Sequence, residues 1–346
     1  MMIFRVMGHN IGCIAGRIGA WIVILLVIGG CAPDDATRIV NLGGTTTPNT
    51  PGETIWLEFK AKAEAASEGR LELRPLIYGQ LGSEEQLLSG LRRGRIQFAN
   101  LSAQVTSTIV PELSLLYAPY LFASETEADF VYDNYLTDIF GSLLAAQNLH
   151  LITWYEIGFQ SVYGKEPIIT PADARGRRFR VSSSLNARLF AQAIGADIIP
   201  LGFGEIVSSL QTGLIEAGEN AISLYARTGI ADEAPHFTET RHVFGMSVIV
   251  SDKRWWDALS ENERRILEES FPGIDETRHA TRAQDMRDLA DLSLGIQVHK
   301  LTSAQRQEWV QATAGVTELL LETIGGRSRE VYELIQRGKV EYARSK

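Results

Sequence analysis

From residue 38 onward the hydrophobic pattern switches repeatedly between a period of two and a period near four. Residues 38–42 form a short apolar run that predicts a strand. In ETIWLEFKAKAEAASEG, Ile55, Phe59 and Ala63 fall on one helical face, and Gly69 stops the helix. RLELRPLIY alternates Leu71 and Leu73 with charged neighbours, as a strand does. SEEQLLSGLRRG predicts a helix from Ser83 to a stop at Gly94, and IQFANL a further strand. A βαβαβ order of this kind predicts a parallel sheet with ligands at the carboxyl ends of its strands.

The alternation continues in the second half. HLITWYE, RFRVS and LIEAGEN predict strands, interleaved with the helices LNARLFAQAIG and GEIVSSLQTG. Ser124 with Glu127, and Ser260 with Glu263, have capping-box spacing and mark helix starts. From Asp275 the chain predicts long amphipathic helices in three segments. The fold class is therefore α/β, in two units, with a helical tail.

The first thirty residues break this pattern. Arg5 and Arg17 precede an apolar run at residues 18–28, and IGGC ends at Cys31. The run falls short of the roughly 20 residues of a membrane span, and small residues before a cysteine are what a lipoprotein signal peptidase cleaves. We expect residues 1–30 to be a lipoprotein signal peptide, Cys31 to be the acylated first residue, and residues 31–37 to be a tether. A simple signal anchor is the rival reading.

Charge and cysteine usage narrow the chemistry. The signal carries two arginines and no acid, so the mature chain keeps 31 basic and 42 acidic residues, net −11. Such a surface argues against nucleic acid as a partner. Cys13 lies in the signal, which leaves the mature domain without a disulfide, a cysteine nucleophile or a thiolate metal site. No two of the six histidines share metal-ligand spacing, and no Walker loop or GxSxG elbow occurs. GFGEIV opens like a dinucleotide loop but has Val207 where its third glycine should stand. We expect no cofactor and no catalysis. Trp154, in WYEIGF, suits either the core or an aromatic ligand wall, and Trp255 and Trp256 suit packing.

One segment stands out against the acidic background. ARGRRFRVSSS, residues 174–184, carries four arginines. Phe179 and Val181 alternate with Arg178 and Arg180, so the segment predicts a strand with guanidinium groups on one face. It suits a solvated edge strand guarded by charges. It also suits an anion site.

Five stretches in consistent order decide how the chain is read: GQLGSEEQLLSGLRRGRIQFA, PELSLLYAPYLF, ITPADARGRRFRV, GADIIPLGFGEIVSSLQTGLIEAGEN and LSENERRIL. Together they resemble the solute-binding subunit of tripartite ATP-independent periplasmic (TRAP) transporters, the DctP family. The resemblance implies a two-domain, type II-like periplasmic-binding-protein fold of the Venus-flytrap kind with long C-terminal helices. It places residues 38–157 and 246–285 in one domain, and 158–245 and 286–346 in the other. It implies a non-enzyme that captures a small organic acid for TRAP membrane subunits; with the signal reading, the expected location is the periplasm or the outer face of the cytoplasmic membrane, held there only by lipid. A homodimer through the helical tail is compatible with it.

The resemblance also assigns roles. Arg180 stands where the family's arginine pairs with the ligand carboxylate, a task suited to a planar fork of donors that stays charged. Asn220, in EAGEN, matches the family's asparagine, and Phe203 an aromatic that borders the ligand. Ser183 and Ser102 are weaker carry-overs. Gln160 stands where members commonly have a second arginine, which disfavours a ligand with two carboxylates and points to a monocarboxylate with hydroxyl or keto groups. Ser102 replaces an acid found in some members, which argues against an amino-bearing ligand. A binding protein that reports to a signalling receptor is the alternative function.

Overall fold

The computed structural model describes residues 37–346; the expected signal peptide, Cys31 and the expected tether up to residue 36 lie outside the described residues. Nine strands form one mixed sheet: β1 (Arg38–Gly43), β2 (Leu71–Leu76), β3 (Phe98–Ser102), β4 (Leu149–Gly164), β5 (Arg178–Val181), β6 (Asp197–Pro200), β7 (Ala217–Ala221), β8 (His236–Asp252) and β9 (Gln297–His299). The order is β2-β1-β3-β8-β4-β7-β5-β6, and β9 pairs with β8. β2-β1-β3 and β7-β5-β6 are the parallel parts, each with crossover helices. Between them run the two long antiparallel strands β4 and β8, so the sheet is mixed where parallel order was expected.

β4 and β8 are the only described strands that belong to both halves. Their outer part pairs β8 with β3, and their inner part pairs β4 with β7. Between these parts the ladder is broken twice. β4 carries one extra residue between Glu156 and Gly158, opposite Met246 and Gly245. β8 then carries residues 239–242 as an excursion between Thr238 and Val243. Gly158 adopts a φ of 95° and Arg241 a φ of 42°, both in the left-handed region. Bulges and left-handed residues at the same level bend both strands where one half of the sheet gives way to the other.

Each half has its own apolar core. Val40, Leu42, Trp56, Phe59 and Phe98 pack with Trp256 and Phe271 in the first. Phe179, Val181, Phe190 and Trp309 pack in the second, beside a further cluster of Tyr163, Leu210, Tyr225 and Phe237. Trp154 is 2 % exposed and lies edge-on to Tyr132 and Phe140, so it is a core residue. The tail is helical over Ile274–Ala290, Ser303–Thr313, Val316–Ile324 and Ser328–Arg344, with β9 inserted. Val331 and Ile335 of the last helix pack into the cluster that contains Val131, Tyr132 and Phe140.

The arginine strand is interior. β5 lies between β6 and β7, which excludes the edge-strand reading. The two guanidinium positions on its face part company: Arg178 is exposed and pairs with Glu216 at 3.1 Å, whereas Arg180 is only 7 % exposed.

Candidate ligand-binding site

A cavity of about 550 Å³ opens between the two halves, at the carboxyl ends of β1, β3, β5 and β7 and beside the bulge of β4. Arg180, Asn220, Phe203, Ser183, Gln160 and Ser102 all line it. The chain brings four of them, Arg180, Ser183, Asn220 and Ser102, there by one repeated device. β5 ends at Val181 and turns into the serine run 182–184, β7 ends just after Asn220, and β3 ends at Ser102, each before a helix.

Arg180 is the site's buried cation. Its Nε donates to the carbonyl of Leu201 at 3.1 Å, and its terminal nitrogens have neither a hydrogen bond nor an ion pair among the described residues. Burial pulls the guanidinium below its ordinary value, while Tyr163, Glu219 and Glu84 act in the opposite sense. Arginine remains charged even so. A buried cation without a counter-ion is costly unless something else supplies the anion.

Asn220 has the complementary defect. It is 5 % exposed, and its Nδ2 donor has no partner. The strand beneath it is held firmly. Glu219 Oε2 lies 2.6 Å from His242 Nε2, the His242 ring stacks on Phe190, and its Nδ1 lies 2.8 Å from Thr240 Oγ1. Gly218 is required here, because a Cβ would lie 2.4 Å from the Tyr163 hydroxyl.

The other predicted residues differ in what they offer. Gln160 is buried at the cavity wall and Phe203 is half-buried on its rim. The exposed Ser183 hydroxyl lies 3.4 Å from Glu85 Oε1, a contact that joins the end of β5 to the start of the helix Glu84–Arg92. Ser102 is committed to its own chain. Its Oγ accepts from Val105 N at 3.2 Å as a helix cap and donates to Glu84 Oε2 at 2.8 Å, and its N–H donates to Glu84 Oε1 at 2.7 Å.

Glu84 is the residue that sequence reasoning missed. As an acid in the first turn of a helix it looks like a favourable end charge. In the structure it lines the cavity, and burial pushes its carboxyl above the usual range despite the two Ser102 bonds and the charge of Arg180. An acid therefore does stand at the Ser102 wall, supplied by the neighbouring helix. Asn100 Oδ1 and Gln104 Nε2 also lack partners and belong to residues that line the same cavity. Their place at the end of β3 was the available signal. Among the described residues no group of three or more His, Cys, Asp or Glu side chains could hold a metal ion.

The family described as bacterial extracellular solute-binding protein, family 7 (DctP), matches residues 42–323. The chain belongs to the DctP family. It is thus a substrate-binding protein of TRAP transporters, with their two-domain binding fold. A solute-binding protein of Chromohalobacter salexigens is 29 % identical over 227 residues, 64 % of this chain and 67 % of the relative. The ectoine-binding periplasmic protein TeaA of Halomonas elongata is 24 % identical over 284 residues, covering 80 % and 82 %. Among solved structures, the sugar-acid-binding DctPAm of Advenella mimigardefordensis with galactonate superposes with a TM-score of 0.83. It is 24 % identical, over 88 % of this chain and all of that one. A TRAP periplasmic solute-binding protein from Roseobacter denitrificans with bound β-D-glucuronate gives 0.82 at 22 % identity, over 86 % and 99 %.

Proposed function

We propose that this DctP protein is an extracytoplasmic lipoprotein, anchored through Cys31, that closes around a hydroxylated monocarboxylate and delivers it to TRAP membrane subunits. The observation that carries the reading is Arg180: a buried guanidinium, unpaired among the described residues, facing a cavity in which Asn220 also offers an unpartnered donor. A ligand carboxylate satisfies both. Gln160, Phe203 and Ser183 complete that end of the site, and Ser102 acts by holding Glu84.

The remaining charges of the cavity favour one carboxylate over two. Glu84, Glu85, Glu156 and Glu205 line it together with Arg180. Glu156 is matched by Arg282 and Glu205 accepts from the Gly202 N–H, but Glu84 forms no ion pair among the described residues. A second carboxylate would meet that charge, whereas a hydroxyl donates to it. Galactonate and glucuronate, bound by the solved relatives, have this chemistry. A zwitterion is the second reading, because a cationic nitrogen group would also satisfy Glu84, and relatives bind ectoine.

Capture by hinge closure fits the bulged strands. We place the lobe boundary at these bulges, with 38–157 and 246–285 in one lobe and 158–245 and 286–346 in the other, the last helix reaching back to the first. A thermal-shift screen of the protein against sugar acids, dicarboxylates and ectoine tests the function. A ligand at about 100 times its Kd adds about 2.7 kcal/mol. Stabilisation by sugar acids is expected; a response to dicarboxylates alone would reject the monocarboxylate reading.

A further inference from the structure

The bend in β4 carries a carboxyl group with no role in the reading above. The helix Ile274–Ala290 lies across the bulge, and Asp285 on it packs against Gly158: a Cβ at Gly158 would lie 2.6 Å from Asp285 Oδ2. Asp285 Oδ1 is enclosed without a hydrogen-bond partner. Ser223, on the helix Ile222–Arg227 after Asn220, stands beside the same carboxyl and also lines the ligand cavity.

Its charged neighbours are already matched, and the nearby Tyr155 hydroxyl of β4, pushed up to about 12 chiefly by burial, stays uncharged at neutral pH and below. On β4, Glu156 pairs with Arg282 at 2.6 Å, and Arg282 in turn holds Asp129 at 2.7 Å. On its own helix, Asp288 pairs with Arg227 at 2.6 Å and accepts from Gln284 at 2.7 Å. On β8, the Arg241 guanidinium is engaged with Glu125 at 2.6 Å and lies 4.1 Å above the Phe159 ring. Asp285 alone of these acids has no ion pair among the described residues. Burial, with Glu156 and Asp288 adding to it, pushes its carboxyl up to about 7, against the nearby Ser223 hydroxyl and the charge of Arg241.

We propose that Asp285 is a protonation site at the hinge: closing the lobes seals its carboxyl against Gly158 and Ser223 and takes up a proton. The groups that enclose it come from β4, from the helix after β7 and from the helix across the bulge, so opening admits water and returns it toward an ordinary aspartate. The closed form then binds more protons than the open form between about pH 4 and the raised value. Closure, and ligand affinity with it, is strongest at the acidic end of that window. It weakens as pH rises toward neutrality and levels off above. The inference rests on the two-lobed fold and is independent of which residue anchors the ligand.

The test titrates the mature protein with D-galactonate by calorimetry between about pH 5 and pH 8, in two buffers of different ionisation enthalpy. Wild type should lose up to about tenfold in affinity per pH unit below neutrality and take up as much as one proton on binding. Asp285→Asn should bind with little pH dependence and no uptake, while Glu84→Gln, which removes another raised carboxyl of the cavity wall, should keep the slope. An unchanged slope in Asp285→Asn overturns the proposal. If D-galactonate gives no heat, small-angle scattering of the unliganded protein reads the same equilibrium. Wild type expanding with rising pH while Asp285→Asn stays compact supports it, and identical profiles overturn it.

Discussion

Ser102 holds Glu84 at two points, its Oγ 2.8 Å from Oε2 and its backbone nitrogen 2.7 Å from Oε1. This pair fixes an acid at the cavity wall that also contains the Arg180 cation. If the acid receives a ligand hydroxyl, Glu84→Gln should weaken D-galactonate by about 1.5–3 kcal/mol, the range for a hydrogen bond to a charged group. Succinate, relieved of repulsion, should gain. Calorimetry with both acids checks this, and equal effects on the two would remove Glu84 from the contact surface.

The bend in β4 depends on a glycine. Ala at position 158 would hold a left-handed φ and press its Cβ onto Asp285, so Gly158→Ala should cost about 1–3 kcal/mol. Gly141, inside the helix Thr137–Ala146 with open space around it, is the control: Gly141→Ala should stabilise by about 0.5–1 kcal/mol. Urea denaturation of the two variants separates them, and equal effects would show that position 158 bears no strain.

Lipid anchoring is read from IGGC alone. Mass spectrometry of the membrane-extracted protein should find Cys31 acylated at a new N-terminus. A mature form that begins elsewhere, without lipid, contradicts the anchor.

The unliganded protein should gain stability from losing the cation that binding needs. Arg180 is buried without a counter-ion among the described residues, so Arg180→Met removes a desolvated charge and keeps most of the volume. Its melting temperature without ligand should exceed that of wild type, and its response to D-galactonate should vanish. A variant less stable than wild type would mean that Arg180 serves the fold.

How far the sequence reached depended on burial. β2 was legible because Leu71 and Leu73 alternate with charged neighbours, and β1 and β3 because each is a short, mostly apolar segment next to a helix signal. β8 was not, since the whole stretch from Val243 to Asp252 is buried and shows neither period. The six candidate residues share one cavity because they sit at strand ends or bulges, places that motifs mark. Glu84 and Asp285 escaped notice for a common reason: on an amphipathic helix an acid looks solvated, and only the packing of a second element shows which one is not.

The most direct test of the account is calorimetry of Arg180 variants with the sugar acid that stabilises wild type best. Arg180→Ala leaves the bound carboxylate without its partner and should cost about 2–5 kcal/mol, a loss of tens to thousands of times in Kd. Arg180→Lys keeps the charge without the fork and should fall between. Arg178→Ala removes an exposed pair with Glu216 and should cost less than about 1 kcal/mol. An Arg180→Ala protein that is folded and binds like wild type would contradict the account.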